Sequence, residues 1–312
     1  MKRAIKGTVA AVYDRRRSPN CGLSAVIDRR YSTREYKKHI CFVLFVFFCA
    51  FCGPLLFPRQ LPFDPIHDSG QSLTGAFEGW FQNPDGTYTF LLGYFNRNQK
   101  QFLDIPVGPD NQIQPGGPDR GQPTHFLPRR QWGVFTITVP KDFGDKKLTW
   151  TITANGKTTS IPMSLNPLWI VEPYKDAGIG NTPPTVRFRP EGPAFAGPPR
   201  GIAASLTAKP GDALPLILWV TDDGKQPPEA RSRRGPPASI FWSEFRGPGP
   251  VSFENPRPPL DSEGKAATTA TFSTPGEYIL RAQANDASGD GGAGFQCCWT
   301  NVHVKVTVAP AG

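Results

Sequence analysis

The chain has 312 residues, more than one ordinary sandwich domain needs, and 35 Pro and 32 Gly punctuate it. Two Met, 12% aromatic residues and that density of Pro exclude a helical bundle, while 38% hydrophobic residues exclude wholesale disorder. The net charge of +9 sits almost entirely before Cys52, where 11 basic residues face 3 acidic ones; the remainder, 24 basic against 23 acidic, carries no electrostatic footprint for nucleic acid.

Residues 1–39 form a basic segment. Ile40 to Cys52 is an uncharged apolar run of 13 residues, extended to 18 by Gly53-Pro54-Leu55-Leu56-Phe57. Thirteen residues rise about 20 Å as a helix, the length of a secretion signal's apolar region, whereas 18 reach the lower limit of a membrane span. Residues 40–57 are therefore expected to be a hydrophobic helix, either a signal peptide or an uncleaved membrane anchor. The neighbouring Lys and Arg orient the basic end to the cytoplasm and the body outside it, in the periplasm or on the outer side of the inner membrane.

The body reads as strands and turns. Runs 73–81 and 87–95 flank Asn83-Pro84-Asp85-Gly86, and Tyr88, Phe90, Leu92 and Tyr94 alternate at period two, which predicts a hairpin. Strands are expected over 133–139, 147–153 and, past the Asn155-Gly156 turn, 157–161, with 168–171 closing the set. Between them, 106–125 has little periodicity and reads as a long polar loop on a rigid scaffold. A Pro-rich stretch, 177–200, is expected to link the domain 58–176 to a second one, 201–312. In the latter, strands are expected over 202–208, 214–221, 239–245, 267–272, 277–284 and 300–308, interrupted by Pro-rich loops 226–237 and 247–259.

The stretch from Thr274-Pro275-Gly276-Glu277-Tyr278 to Asn285-Asp286-Ala287-Ser288 resembles the late hairpin of Ig-like and PKD-like modules of exported proteins. Gly93-Tyr94-Phe95-Asn96-Arg97-Asn98 and Gly121-Gln122-Pro123-Thr124-His125 resemble segments of exported bacterial β-sandwich proteins without an assigned activity. The resemblance implies a compartment and an architecture, and no chemistry. The expected fold is all-β: two antiparallel β-sandwich (Ig-like) domains after an N-terminal hydrophobic helix.

Catalytic signatures are absent: there is no His-Glu-x-x-His, Gly-x-Ser-x-Gly or Walker loop. The candidate binding site is Trp80, Tyr94, Asn96, Arg97, Asp110, Asn111, Asp119, Arg120, His125 and Trp132. It joins planar hydrogen-bonding groups to aromatic platforms, as sugar or peptide recognition requires. The same carboxylates and amides would suit calcium; equally, they would satisfy the backbone of a Pro-rich loop. No cofactor is otherwise indicated. Glycosidase chemistry would need a carboxyl pair, for which Glu78 with Asp104, Asp110 or Asp119 is the available set. His303, between Val302 and Val304, reads as a solvent-facing strand residue. Cys297 and Cys298 form a candidate redox site; adjacent in sequence, they can close on each other, remain thiols or bind metal. The functional expectation is an exported or membrane-anchored, non-catalytic binding or structural module of the cell envelope, taking a polysaccharide or an envelope protein as partner. An envelope polysaccharide-acting enzyme and a Cys-pair redox or metal protein are the alternatives.

Overall fold

A computed structural model describes residues 67–176, 178, 180–225, 238–286 and 297–310. The basic segment, the apolar run and the loop 226–237 lie outside the described residues. Leu73–Gln82 (β1) and Tyr88–Asn96 (β2) form the expected hairpin, closed by Gly86 N donating to Asn83 O at 2.9 Å. The chain continues through Leu103–Asp104 (β3), Asn111–Gln114 (β4), His125–Phe126 (β5), Arg129–Val139 (β6), Leu148–Ala154 (β7) and Lys157–Met163 (β8). One sheet has the order β1-β2-β6, a second β4-β7-β8, and β3 pairs with β5. In β7 strict alternation buries Leu148, Trp150, Ile152 and Ala154 and turns the intervening Thr outward, the period of a half-buried strand. Asn155 and Gly156, both at positive φ, make the tight turn into β8. Leu73, Phe90, Leu92, Tyr94, Phe126, Phe135 and Trp150 fill the core between the sheets.

Three expectations change here. The 106–125 loop contributes β4, which pairs with β7; its single apolar residue, Ile113, is fully buried, too weak a pattern to read as a strand. Residues 168–171 do not form a strand. Asn166 caps a 3₁₀ turn, Pro167–Trp169, by accepting from Leu168 N, and only Ile170 bridges to Trp80. The expected linker 177–200 contains Thr185–Arg187 (β9), whose Val186 is buried in the second core, so this segment belongs in part to the sandwich that follows.

That sandwich continues with Ile202–Ala208 (β10), Leu214–Thr221 (β11), Ala238–Arg246 (β12), Val251–Phe253 (β13), Lys265–Phe272 (β14), Gly276–Asp286 (β15) and Trp299–Val308 (β16). Its two sheets have the orders β10-β16-β15-β12 and β13-β14-β11-β9, antiparallel except where β10 runs parallel to the last strand. Trp242 on β12 is buried between them, and Tyr278, near the start of β15, donates its hydroxyl to Thr274 O at 2.8 Å. A buried Trp between the sheets and a tyrosine corner of this kind mark the Ig-like arrangement. The described residues are all-β, built of two sandwiches, the second of them Ig-like in arrangement.

The outer face of β16-β15-β12 is covered by the first sandwich. Asn301 Nδ2 donates to Gly133 O (2.9 Å), His303 Nε2 to Val134 O (3.0 Å), Arg281 to Gln131 Oε1 (2.7 Å) and Arg246 Nε to Gln122 O (2.6 Å). His303, expected in solvent, is therefore buried; alternation placed it off the second core, and the neighbouring sandwich closes over that face. The fit depends on Gly133: at φ 52°, a Cβ there would fall within the Trp299 ring.

Candidate functional site

The β3–β5 pair sets Asp104 directly opposite His125, so their side chains share one face, and His125 Nδ1 donates to Asp104 Oδ1 at 2.7 Å. This hydrogen bond fixes the orientation of the imidazole. The exposed Phe102 ring lies nearly parallel to the imidazole, with centroids 5.4 Å apart. Facing them is the end of β12. Alternation along β12 puts Phe245 on the face away from Trp242, in the first sandwich's core, and a bulge between Glu244 and Arg246 turns Arg246 to reach Asp119 at 2.7 Å. Thr124 N donates to Phe245 O at 3.1 Å, pinning the two walls together.

Between the walls is a cleft of about 600 Å³, lined by Asp104, Ile105, Pro106, Thr124 and His125 on one side and by Glu244 and Gly247-Pro248-Gly249-Pro250 on the other. Burial pushes the Glu244 carboxyl above its ordinary range; His125 and the N–H of Val251 oppose this, while Asp104 adds to it. Two carboxyl groups flank one imidazole, so the cleft favours hydroxyl or ammonium donors over anions. Its proline walls and the Phe102 ring offer apolar surface beside them.

Of the ten candidate binding residues, His125 alone lines this cleft; Asp104, named with Glu78 as a possible carboxyl pair, lines it beside His125. Tyr94 is buried, accepts from Leu127 N at 2.8 Å, and has its phenol pushed up to about 12 by burial. Asn96 donates to Gln101 O, and Asn111 donates to Ile105 O and Pro123 O while accepting from Trp150 Nε1. Arg120 donates to Pro115 O. These groups satisfy the Pro-rich loop's backbone, as buried polar groups must. Asp119 is paired with Arg246, whose hydrogen bonds hold its carboxyl below the usual range. Arg97 is exposed and bonds the hydroxyl of Thr74; Asp110 is exposed, its carbonyl accepting from Thr153 N. Trp132 lies under the Arg130 guanidinium at 3.7 Å, and Trp80 donates to Asn166 O.

Glu78 is unavailable for a carboxyl pair, because it accepts from Arg130 and from Gly133 N and burial pushes its carboxyl up. Among the described residues no group of three or more His, Cys, Asp and Glu is arranged to hold a metal ion. Cys297 and Cys298 are disulfide-bonded to each other, buried, and near Asn181 rather than at the cleft. Glu244 and the 247–250 wall carried no signal in the sequence, since the docking of two sandwiches brings them opposite His125.

No protein-family model matches the chain, and no curated protein matches it. Solved structures with some similarity include the D00-D0 domains of intimin (12% identity, 76% of this chain and 100% of that one, TM-score 0.25). Others are the S-layer protein rSbsC (10%, 78% and 28%, TM-score 0.23) and WR4, an MSP family member of C. elegans (12%, 34% and 92%, TM-score 0.22). At these scores they carry no argument, and the sandwich architecture rests on strand order and register.

Proposed function

We propose that the chain is an exported protein held at the membrane by residues 40–57, and that it binds an envelope polysaccharide in the cleft between its sandwiches. The observation that carries the reading is the cleft itself, with Asp104 and Glu244 on opposite walls, His125 held between them and the Phe102 ring at the rim. Carboxylates accept from sugar hydroxyls or amines, and a ring face packs against the apolar side of a pyranose. Calorimetric titration with chitosan and cello-oligosaccharides tests it. Binding that falls at least tenfold in both Glu244→Gln and Asp104→Asn supports the proposal; no binding by the wild type, or equal binding by the variants, overturns it.

A second reading has one observation in its favour. Glu244 is a carboxyl raised by burial and His125 an imidazole oriented by a carboxylate, an acid and base pair facing one space. Release of new reducing ends from the same oligosaccharides, lost in Glu244→Gln, would make the protein an enzyme.

A further inference from the structure

Five consecutive exposed residues, Asn166-Pro167-Leu168-Trp169-Ile170, protrude from the first sandwich after β8, with Leu168 90%, Trp169 50% and Ile170 55% exposed. No charged residue occurs from Met163 to Val171. The tip is built to stay out: Trp80 Nε1 holds Asn166 O at 2.8 Å, Val171 N donates to Trp80 O at 3.0 Å, and Trp169 rests on Phe77 with centroids 5.9 Å apart. Side chains of this size could fold back onto the nearby sheet and instead project from a cross-braced turn. An uncharged Leu-Trp-Ile cluster on a rigid support is the kind of exposed apolar patch that marks an interaction surface, and Trp prefers the boundary of hydrocarbon and water.

We propose that this tip inserts into the outer leaflet of the bilayer that residues 40–57 occupy. The proposal rests on the anchoring part of the reading above. Only nine residues, 58–66, separate the apolar run from the first described residue, a tether of at most about 30 Å. A tether of that reach allows the body to lie against the bilayer surface, and an uncharged wedge gains from entering the interface by the few ångströms that its side chains reach. The tip is uncharged, so insertion needs no anionic lipid.

The test places the photocrosslinking residue benzoylphenylalanine at position 168, 263 or 46 in the full chain, reconstituted in phosphatidylcholine vesicles. Position 168 is solvent-exposed, so the replacement leaves the core untouched; Glu263 is an exposed turn residue of the other sandwich. Lipid adducts at 168 at least fivefold above those at 263 support the proposal. No adduct at 168, equal labelling at 168 and 263, or adducts at 168 only to a second polypeptide overturn it, the last assigning the tip to a protein contact. Position 46 reports on the anchor separately: lipid adducts at 46 without any at 168 keep the anchor and sink the tip, whereas the reverse keeps the tip and sinks the anchor.

Discussion

His303 makes the joint between the sandwiches sensitive to acid. Its Nε2 donates to Val134 O across the interface, and burial, with Arg281 and then Arg246 nearby, drives its pKa from the ordinary 6.5 down to about 4. The imidazole is therefore neutral in the folded protein above about pH 4 and takes up a proton on unfolding between about pH 4 and 6.5. Stability from this group is fully present above about pH 6.5 and is lost as pH falls toward 4. Linkage over this interval gives a loss of about 2 kcal/mol between pH 7 and pH 5, rising to about 3 at pH 4. His303→Gln keeps an N–H donor for Val134 O and removes the titration. Glu78 and Glu244, whose carboxyls are raised, act with the opposite sign in part of the same window, so the informative quantity is the difference between the two proteins. Urea unfolding at pH 7 and pH 5 should show the variant losing about 2 kcal/mol less than the wild type. Equal pH dependence in both would refute the argument.

Gly133→Ala should destabilise by about 3 kcal/mol, from a left-handed φ and from a methyl forced into the Trp299 ring; a thermal midpoint within a degree of wild type would contradict the fit described. Asp222, its carboxyl pushed up to about 6 by desolvation and then by Asp286 and Asp223, weakens the fold as pH rises through 4 to 6. Since it is about half exposed and screened, Asp222→Asn should gain only about 1 kcal/mol at pH 7 and nothing at pH 3.5, as melts at the two pH values would show. Fragments 58–176 and 177–312, separately expressed and mixed, should elute together on size exclusion, because Gln131, Val134 and Gln122 each bind a residue of the second sandwich; separate elution would mean that these bonds add little.

The strands that the sequence revealed are those with one face in a core and the other in water. Leu148, Trp150 and Ile152 alternate with Thr, and Asn155-Gly156 and Asn83-Pro84-Asp85-Gly86 announce their turns. Where a strand is short or covered on both sides, period two says little. Residues 111–114 show one apolar residue among amides, and 185–187 lies among prolines, yet each pairs along its length with a longer strand. The polar set around 94–132 was visible as a set, but its members act mostly on their own stretch of chain, where Asn111, Asn96 and Arg120 donate to the carbonyls of Ile105, Gln101 and Pro115. Of the cleft, only one wall could be read locally. Glu244 faces His125 because the second sandwich docks there, and no spacing along the chain encodes that encounter.

Tyr278 stands two positions before Leu280, the place where antibody-type sandwiches carry the second cysteine of their inter-sheet bridge. Here Leu280, Leu218 and Trp242 belong to one buried cluster, so apolar packing stands where that bridge would be. The sole cysteines described, 297 and 298, are neighbours and tie no loop together. The sandwich can thus assemble without an oxidant, and it should reach the same fold in a reducing cytoplasm as outside it. Thiol oxidation then adds only the 297–298 bond, which joins neighbours and not the two sheets.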